Sequence, residues 1–245
     1  MNLPIAMFHH VDRNPVKSLK GWTISPEKFK LFLDCIVAKG YETITFEDIK
    51  ALVPGTSKSK KIILTFDDCP ASLFDYAIPE LLKREMKAVF FIPTAHIGGI
   101  NHWDVMEQGF EPINLMTSDQ LKYLTLQGME IGSHGHYHKR AVVDQKILAE
   151  EIYHSKAVLS KLLNKKIISF AYPYGEIPRN YRDLLKTAGY QFAIGIYSRW
   201  QTKLSLRRFG IHQTDTEWSM TFKLGNTYRF MRFFSDPVLR FFKIA

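Results

Sequence analysis

The stretch Ile62-Ile63-Leu64-Thr65-Phe66-Asp67-Asp68 is an apolar run that ends on two adjacent carboxylates. Its length and its β-branched residues read as a buried strand. Strand ends are where catalytic groups gather in α/β barrels. Some sixty-five residues on, a second strand-like run, Met129-Glu130-Ile131-Gly132-Ser133, opens into His134-Gly135-His136-Tyr137-His138. Two imidazoles and a carboxylate can hold a metal ion, and a second carboxylate beside them supplies a base. That is a sufficient kit for metal-assisted hydrolysis.

Outward from these two runs, strand and helix patterns alternate. Strands are predicted at 5–8, 43–45, 61–66, 88–92, 129–133, 169–172, 191–196 and 206–211. Helices are predicted at 26–39, 46–52, 73–83, 118–127, 144–163 and 178–187, the first capped by Ser25 and stopped by Gly40. Residues 54–60 read as an exposed loop. Residues 93–117, which include Trp103, read as a long loop, and loops of that length in compact domains carry function. Repeated alternation implies a parallel sheet covered by helices, and about seven such units favour a closed or nearly closed barrel. No Gly-x-Gly-x-x-Gly follows the first strand, which argues against dinucleotide binding.

The 245 residues, 46% of them hydrophobic, suffice for one large α/β domain or two small ones. Two cysteines, Cys35 and Cys69, make no disulfide framework, so a reducing compartment is expected. The N-terminal residues lack the signal-peptide pattern, and no apolar run of eighteen residues suggests a membrane span. The expected location is therefore the cytoplasm, with the inner membrane surface as a candidate site. The net charge of +9 is concentrated late: from Arg199 onward there are nine Lys/Arg and three Asp/Glu. That distribution, with no nucleic-acid motif, argues against nucleic acid as a partner.

His134 and His138 lie four apart, close enough for both rings to face one ion; His136 alternates with them and is expected to point away. A third protein ligand leaves one coordination position open, and either Asp67 or Asp68 can supply it. Side chains leaving a strand diverge, so one carboxylate can bind metal while the other faces substrate.

Thr65-Phe66-Asp67-Asp68, with Ser133-His134-Gly135-His136-Tyr137-His138 and Tyr172-Pro173-Tyr174-Gly175, resembles the polysaccharide deacetylase (NodB-homology) family, carbohydrate esterase family four. The opening Met7-Phe8-His9-His10 is similar to the branch acting on poly-N-acetylglucosamine-like polysaccharides. The resemblance implies a single-domain α/β fold, a distorted (β/α)7–8 TIM-like barrel over residues 1–219, and hydrolysis of an N-acetyl group from an amino sugar. It implies Asp67 as general base and Asp68, His134 and His138 as metal ligands. It also implies Tyr174 as a backbone donor to the oxyanion. Tyr172, Pro173, Tyr174 and Trp103 are the candidate sugar contacts. Zn2+ is the expected metal, with Co2+, Ni2+ or Mn2+ as alternatives.

The chain departs from that family in four places. Cys69 stands where Gly is usual, and Gly135 where Ser or Thr is usual. Ala171 stands where many members carry an Arg that keeps the base ionised; Arg208, near the end of the last predicted strand, can reach the same space. No late Leu-x-His motif supplies the general acid, and His9, at the end of the first strand, is the candidate. Residues 220–245 form a basic aromatic tail suited to a membrane interface or to packing on the barrel; Pro237 is expected to split it into two pieces. Trp218 is expected to pack. Two alternatives accompany the deacetylase reading: a carbohydrate-binding relative with impaired turnover, and a barrel hydrolase acting on another amide or ester. The substrate would be an N-acetylated sugar, in a polysaccharide or in its lipid- or nucleotide-linked precursor.

Overall fold

In a computed structural model of the chain, the described residues are 3–49, 59–140, 144–177, 181–198 and 200–244, with side chains described up to Leu239 in the last helix. Among them eight strands form one sheet: β1 (Ile5–Phe8), β2 (Tyr41–Thr43), β3 (Lys60–Phe66), β4 (Val89–Ile92), β5 (Glu130–Ser133), β6 (Ser169–Ala171), β7 (Phe192–Ile194) and β8 (Phe209–Gly210). Their spatial order is β8-β1-β3-β4-β5-β6-β7, with β2 on the first half of β3, and every ladder is parallel. A bridge from Ile194 to Leu206 brings the segment leading into β8 beside β7, so the sheet curls into an open (β/α) barrel.

The pleat sorts the strand residues into two layers. Ile5, Ile63, Val89, Phe91, Ala171, Phe192 and Ile194 meet inside the barrel with Leu206. Their neighbours Ala6, Phe8, Leu64, Phe66, Phe90, Phe170 and Tyr172 face the helices. Phe66 stacks between Phe8 and Phe90, with ring centroids at 5.2 and 4.9 Å. Burying each such ring contributes roughly 1.5–3 kcal/mol. The inward parity of β3 therefore runs through Ile63 and Thr65 to Asp67.

The helix Pro26–Ala38 starts as its sequence predicts: the Ser25 hydroxyl accepts from the Lys28 N–H at 3.2 Å. Thr117 and Gln120 form a reciprocal capping box on the helix Ser118–Leu126. Asp144 caps the long helix that begins at Gln145, but a π-helical turn, Glu150–His154, interrupts it.

Several expectations change. The segment 93–117 is not structureless: it holds the 3-10 turn Thr94–His96 and the helix His102–Gln108, and bridges pair Leu115 with Pro70 and Asn114 with Ile100. The predicted helix 73–83 is a 3-10 turn, Ala71–Phe74, followed by the helix Ala77–Lys83. The predicted strand 206–211 narrows to β8. Pro237 does not split the tail, which is one helix, Asn226–Ile244. Pro237 lies on an exposed face, where water can meet the carbonyl its ring frees. The preceding helix, Glu217–Leu224, buries Met220 and Leu224 against the core, so residue 220 falls within a packed element. Trp218 is 73% exposed and stacks on Phe222 instead of packing into the interior. The predicted loop at 54–60 is described only from residue 59, and residues 50–52 and 178–180 of two predicted helices lie outside the described set.

Candidate active site and metal centre

The barrel's strand ends deliver the chemistry to one rim. Asp67 and Asp68 follow β3, His134 follows β5, His9 follows β1, and Tyr174 lies just past β6. Asp68, His134 and His138 are all buried, with one ligand atom of each inside a common small volume. Nε2 of His134 and Nε2 of His138 are 3.2 Å apart, and Oδ1 of Asp68 lies 3.6 and 3.4 Å from them. A tetrahedral ion with bonds of 2.0–2.2 Å separates its ligand atoms by about 3.3–3.6 Å. The triangle has the size of one face of that tetrahedron.

Hydrogen bonding agrees with this fit. The Nδ1–H of His134 donates to the Ala171 carbonyl at 2.8 Å, which assigns Nε2 as the lone-pair nitrogen. Oδ1 of Asp68 is buried without a hydrogen-bond partner among the described residues. Burial, then the neighbouring Asp67 charge, push the Asp68 carboxyl well above the usual carboxylate range. Burial likewise pushes both imidazoles down, His138 far down with His134 adding to it, which leaves them neutral as ligands must be. A divalent cation would offset the cost of an ionised Asp68 here. Asp68 and His138 have φ of +64° and +59°, a left-handed backbone held by the surrounding structure.

Asp67 has a different environment. Arg208 donates to it twice, Nη1 to Oδ1 at 2.6 Å and Nη2 to Oδ2 at 2.7 Å. Arg208 is 1% exposed, and its Nε–H donates to the Gly195 carbonyl while Nη1 also donates to the Thr65 hydroxyl. Burial pushes the Asp67 carboxyl up, but Arg208 with His134 more than offsets it and holds the group at about 2. Two adjacent carboxylates thus have opposite tendencies. Ala171 faces inward and carries no charge, and the cation on Asp67 comes instead from Arg208, just before β8.

His9 lines the cleft beside Trp22, with ring centroids 5.1 Å apart. Burial pushes its imidazole down to about 3, against the opposing pull of Asp67. The cleft has a volume of about 320 Å3, and Trp22, Trp103, Arg140, Tyr174 and Tyr197 contribute to its walls. Trp103 packs on the His138 ring at 4.6 Å, and Tyr174 contacts the same ring at 4.7 Å. Arg140 lies 3.9 Å from the centre of the Tyr174 ring. Flat rings around polar groups suit the apolar faces of a pyranose.

Tyr172 and Pro173 do not line this cleft. Tyr172 lies on the outward parity of β6, is fully buried against Phe170 and Tyr181, and donates its hydroxyl to the Leu204 carbonyl. Pro173 is buried beneath the turn that presents Tyr174. His136 points away from the ligand triangle, as its alternation predicts, and Nδ1 pairs with the Thr94 hydroxyl at 2.7 Å.

Sequence reasoning missed Glu151. Its buried carboxylate comes from the π turn and accepts the backbone N–H groups of His136 at 3.0 Å and Tyr137 at 2.8 Å. It thereby fixes the loop between the two histidines. Gly135 has φ of +82°, and a Cβ there would lie 2.3 Å from the Glu151 carboxylate. The missing Ser or Thr side chain is thus matched by an acid from another element. Cys69 is fully buried with φ of +56°, the conformation for which Gly is the usual choice. Burial, with Asp68 and Asp67 adding to it, pushes its thiol well above the ordinary range. Trp22, Arg140 and Tyr197 were also missed, and no motif marks them.

A poly-beta-1,6-N-acetyl-D-glucosamine N-deacetylase of Staphylococcus epidermidis is 26% identical over 194 residues, covering 75% of this chain and 64% of that protein. The Staphylococcus aureus protein of the same name is 21% identical over 191 residues, covering 74% and 63%. The chain thus spans just under two thirds of these relatives' length. The Streptococcus pyogenes deacetylase PplD, in complex with acetate, superposes with a TM-score of 0.75 at 23% identity, over 91% of this chain and 98% of that one. IcaB from Ammonifex degensii gives a TM-score of 0.75 at 21% identity, over 91% and 97%. These two likenesses concern the fold. The sequence profile described as polysaccharide deacetylase matches residues 54–193, more than half of the chain, and with it the chain belongs to the polysaccharide deacetylase family.

Proposed function

We propose that this protein is a metal-dependent hydrolase that removes N-acetyl groups from an amino sugar, in a polysaccharide or in its lipid- or nucleotide-linked precursor. The observation that carries this reading is the ligand triangle of Asp68, His134 and His138 with the ionised, Arg208-held Asp67 directly beside it: Oδ2 of Asp67 lies 3.7 Å from Nε2 of His134. The N-deacetylases among the relatives agree with it.

In this reading Asp68, His134 and His138 hold the ion, Zn2+ by the two-His-one-Asp set, with Co2+, Ni2+ or Mn2+ as substitutes. The ion would supply Lewis acidity toward the acetyl carbonyl and toward water. The chain's own residues supply the rest. Asp67 takes a proton from the attacking water, and Arg208 keeps Asp67 able to do so. The backbone N–H of Tyr174 donates to the developing oxyanion, an interaction worth about 3 kcal/mol in comparable sites. The proton that Asp67 took from water passes on to the amine as the C–N bond breaks, with His9, whose imidazole rests neutral, as its relay, and acetate leaves with the new C–O bond. Trp103 and Tyr174 bracket the sugar.

A binding-only relative is less well supported, because Arg208 supplies Asp67 with the cation that Ala171 cannot. Acetate release from N-acetylated β-1,6-glucosamine oligomers tests the reading. Release is expected with Zn2+, and is expected to stop with chelator and in Asp67→Asn. Saccharide binding with no release under any metal would refute it.

A further inference from the structure

The tail helix, Asn226–Ile244, buries one charged pair and turns a set of apolar residues outward. Arg232 and Asp236 are 8% and 1% exposed and pair with each other. Arg232 donates to the carbonyls of Ile196 at 2.9 Å and Arg208 at 3.2 Å, and Asp236 accepts the Ser198 N–H at 3.0 Å. Half a turn round the helix lies the reverse of an ordinary surface helix. Phe230, Met231, Phe234 and Val238 are 68%, 52%, 58% and 55% exposed, and their spacing places them on one stripe. Trp200, 70% exposed, extends this surface through its contact with Phe233.

Isolated exposed apolar residues are ordinary, but a contiguous aromatic stripe on an amphipathic helix marks an interaction surface. The charge selects the occupant. Asp236 is the sole acidic residue from Trp218 to Ala245 and is matched by Arg232, while Lys223 pairs with Asp215, so the segment keeps Arg229, Arg240 and Lys243 as its excess of positive charge. A second copy of this chain would bring like charges together. An anionic surface with an apolar layer beneath it complements both features, and Trp and Phe favour that boundary. No helix of the described residues is long and apolar enough to cross a membrane, so the contact is one that lies in the interface.

We infer that this helix seats the protein on an anionic lipid bilayer, with Phe230, Phe234 and Trp200 entering the headgroup boundary. The inference does not depend on the deacetylase reading. Its structural consequence is local: Ile196, whose carbonyl Arg232 holds, is also part of the cleft wall, as is Tyr197. The cleft is thereby tied to the membrane-facing element by one layer of side chains.

Flotation with vesicles tests this, using the full chain, phosphatidylcholine vesicles and phosphatidylcholine–phosphatidylglycerol vesicles. The protein is expected to float with the anionic vesicles, and less at high salt. Phe230→Ser/Phe234→Ser is expected to lower the partition coefficient roughly tenfold or more while melting temperature stays within a few degrees, since both side chains are exposed. Lack of flotation with anionic vesicles, or equal flotation of the double variant, would overturn the inference. So would a concentration-dependent dimer in light scattering that the double variant abolishes, because that outcome assigns the stripe to a second copy.

Discussion

Replacing Arg208 with Met removes the guanidinium and keeps most of the stem. In the wild type, burial raises the Asp67 carboxyl, yet Arg208 and His134 bring it from 3.8 to about 2. At about 1.4 kcal/mol per pKa unit that difference is worth roughly 2–3 kcal/mol. Because the folded value lies below the unfolded one, this stability is fully present above about pH 4 and is lost as pH falls through about 2. In Arg208→Met the carboxylate is left buried with its main partner gone, and breaking such a pair costs about 3–5 kcal/mol. Proton uptake by Asp67 limits that loss, and uptake is easier at low pH. The stability gap between wild type and variant is therefore expected to be widest near pH 8 and to narrow toward pH 5, read by urea unfolding at several pH values. The acid limb of turnover should move upward by at least about one pH unit, since a protonated Asp67 accepts no proton from water. Arg208→Lys should recover part of both effects, having the charge without the fork. A stability gap that is flat with pH, together with an unmoved acid limb, would refute the argument.

Other outcomes follow from the same geometry. Asp68→Ala leaves two imidazoles, so the purified protein should lose its stoichiometric metal and at least about a hundredfold of its activity, and added Zn2+ should raise the melting temperature of the wild type but not of the variant. Gly135→Ser should destabilise by about 1–3 kcal/mol, because the new Cβ meets the Glu151 carboxylate at a left-handed position; pairing it with Glu151→Ala should cost less than the sum of the single changes in a double-mutant cycle. Cys69 should resist a disulfide reagent in the native protein and react on unfolding, since its thiol is buried and pushed far up; fast native labelling would contradict that.

The two motifs at Asp67-Asp68 and His134–His138 were legible because strand ends and four-residue spacing leave few geometries open. Arg208 was legible for a chemical reason: a buried base needs a cation, and the usual position holds Ala171. Tyr172 was misread because a motif lists neighbours in order, whereas the pleat sends Ala171 inward and Tyr172 outward. Glu151 was invisible because its role depends on a π turn, and nothing in Glu150-Glu151-Ile152 announces one. The helix His102–Gln108 is too short for periodicity to reveal. The tail's continuity through Pro237 depends on tertiary anchoring by Arg232 and Asp236, which outweighs the local preference to break.

Arg208 reaches Asp67 from the residue just before β8, which joins the catalytic strand β3 through β1. The positive charge that many members of the family carry at the position of Ala171 is here carried by the residue before β8. Divergent members can therefore relocate the cation from one strand to another while leaving the reaction centre intact, and a comparison by aligned columns would score an intact enzyme as defective.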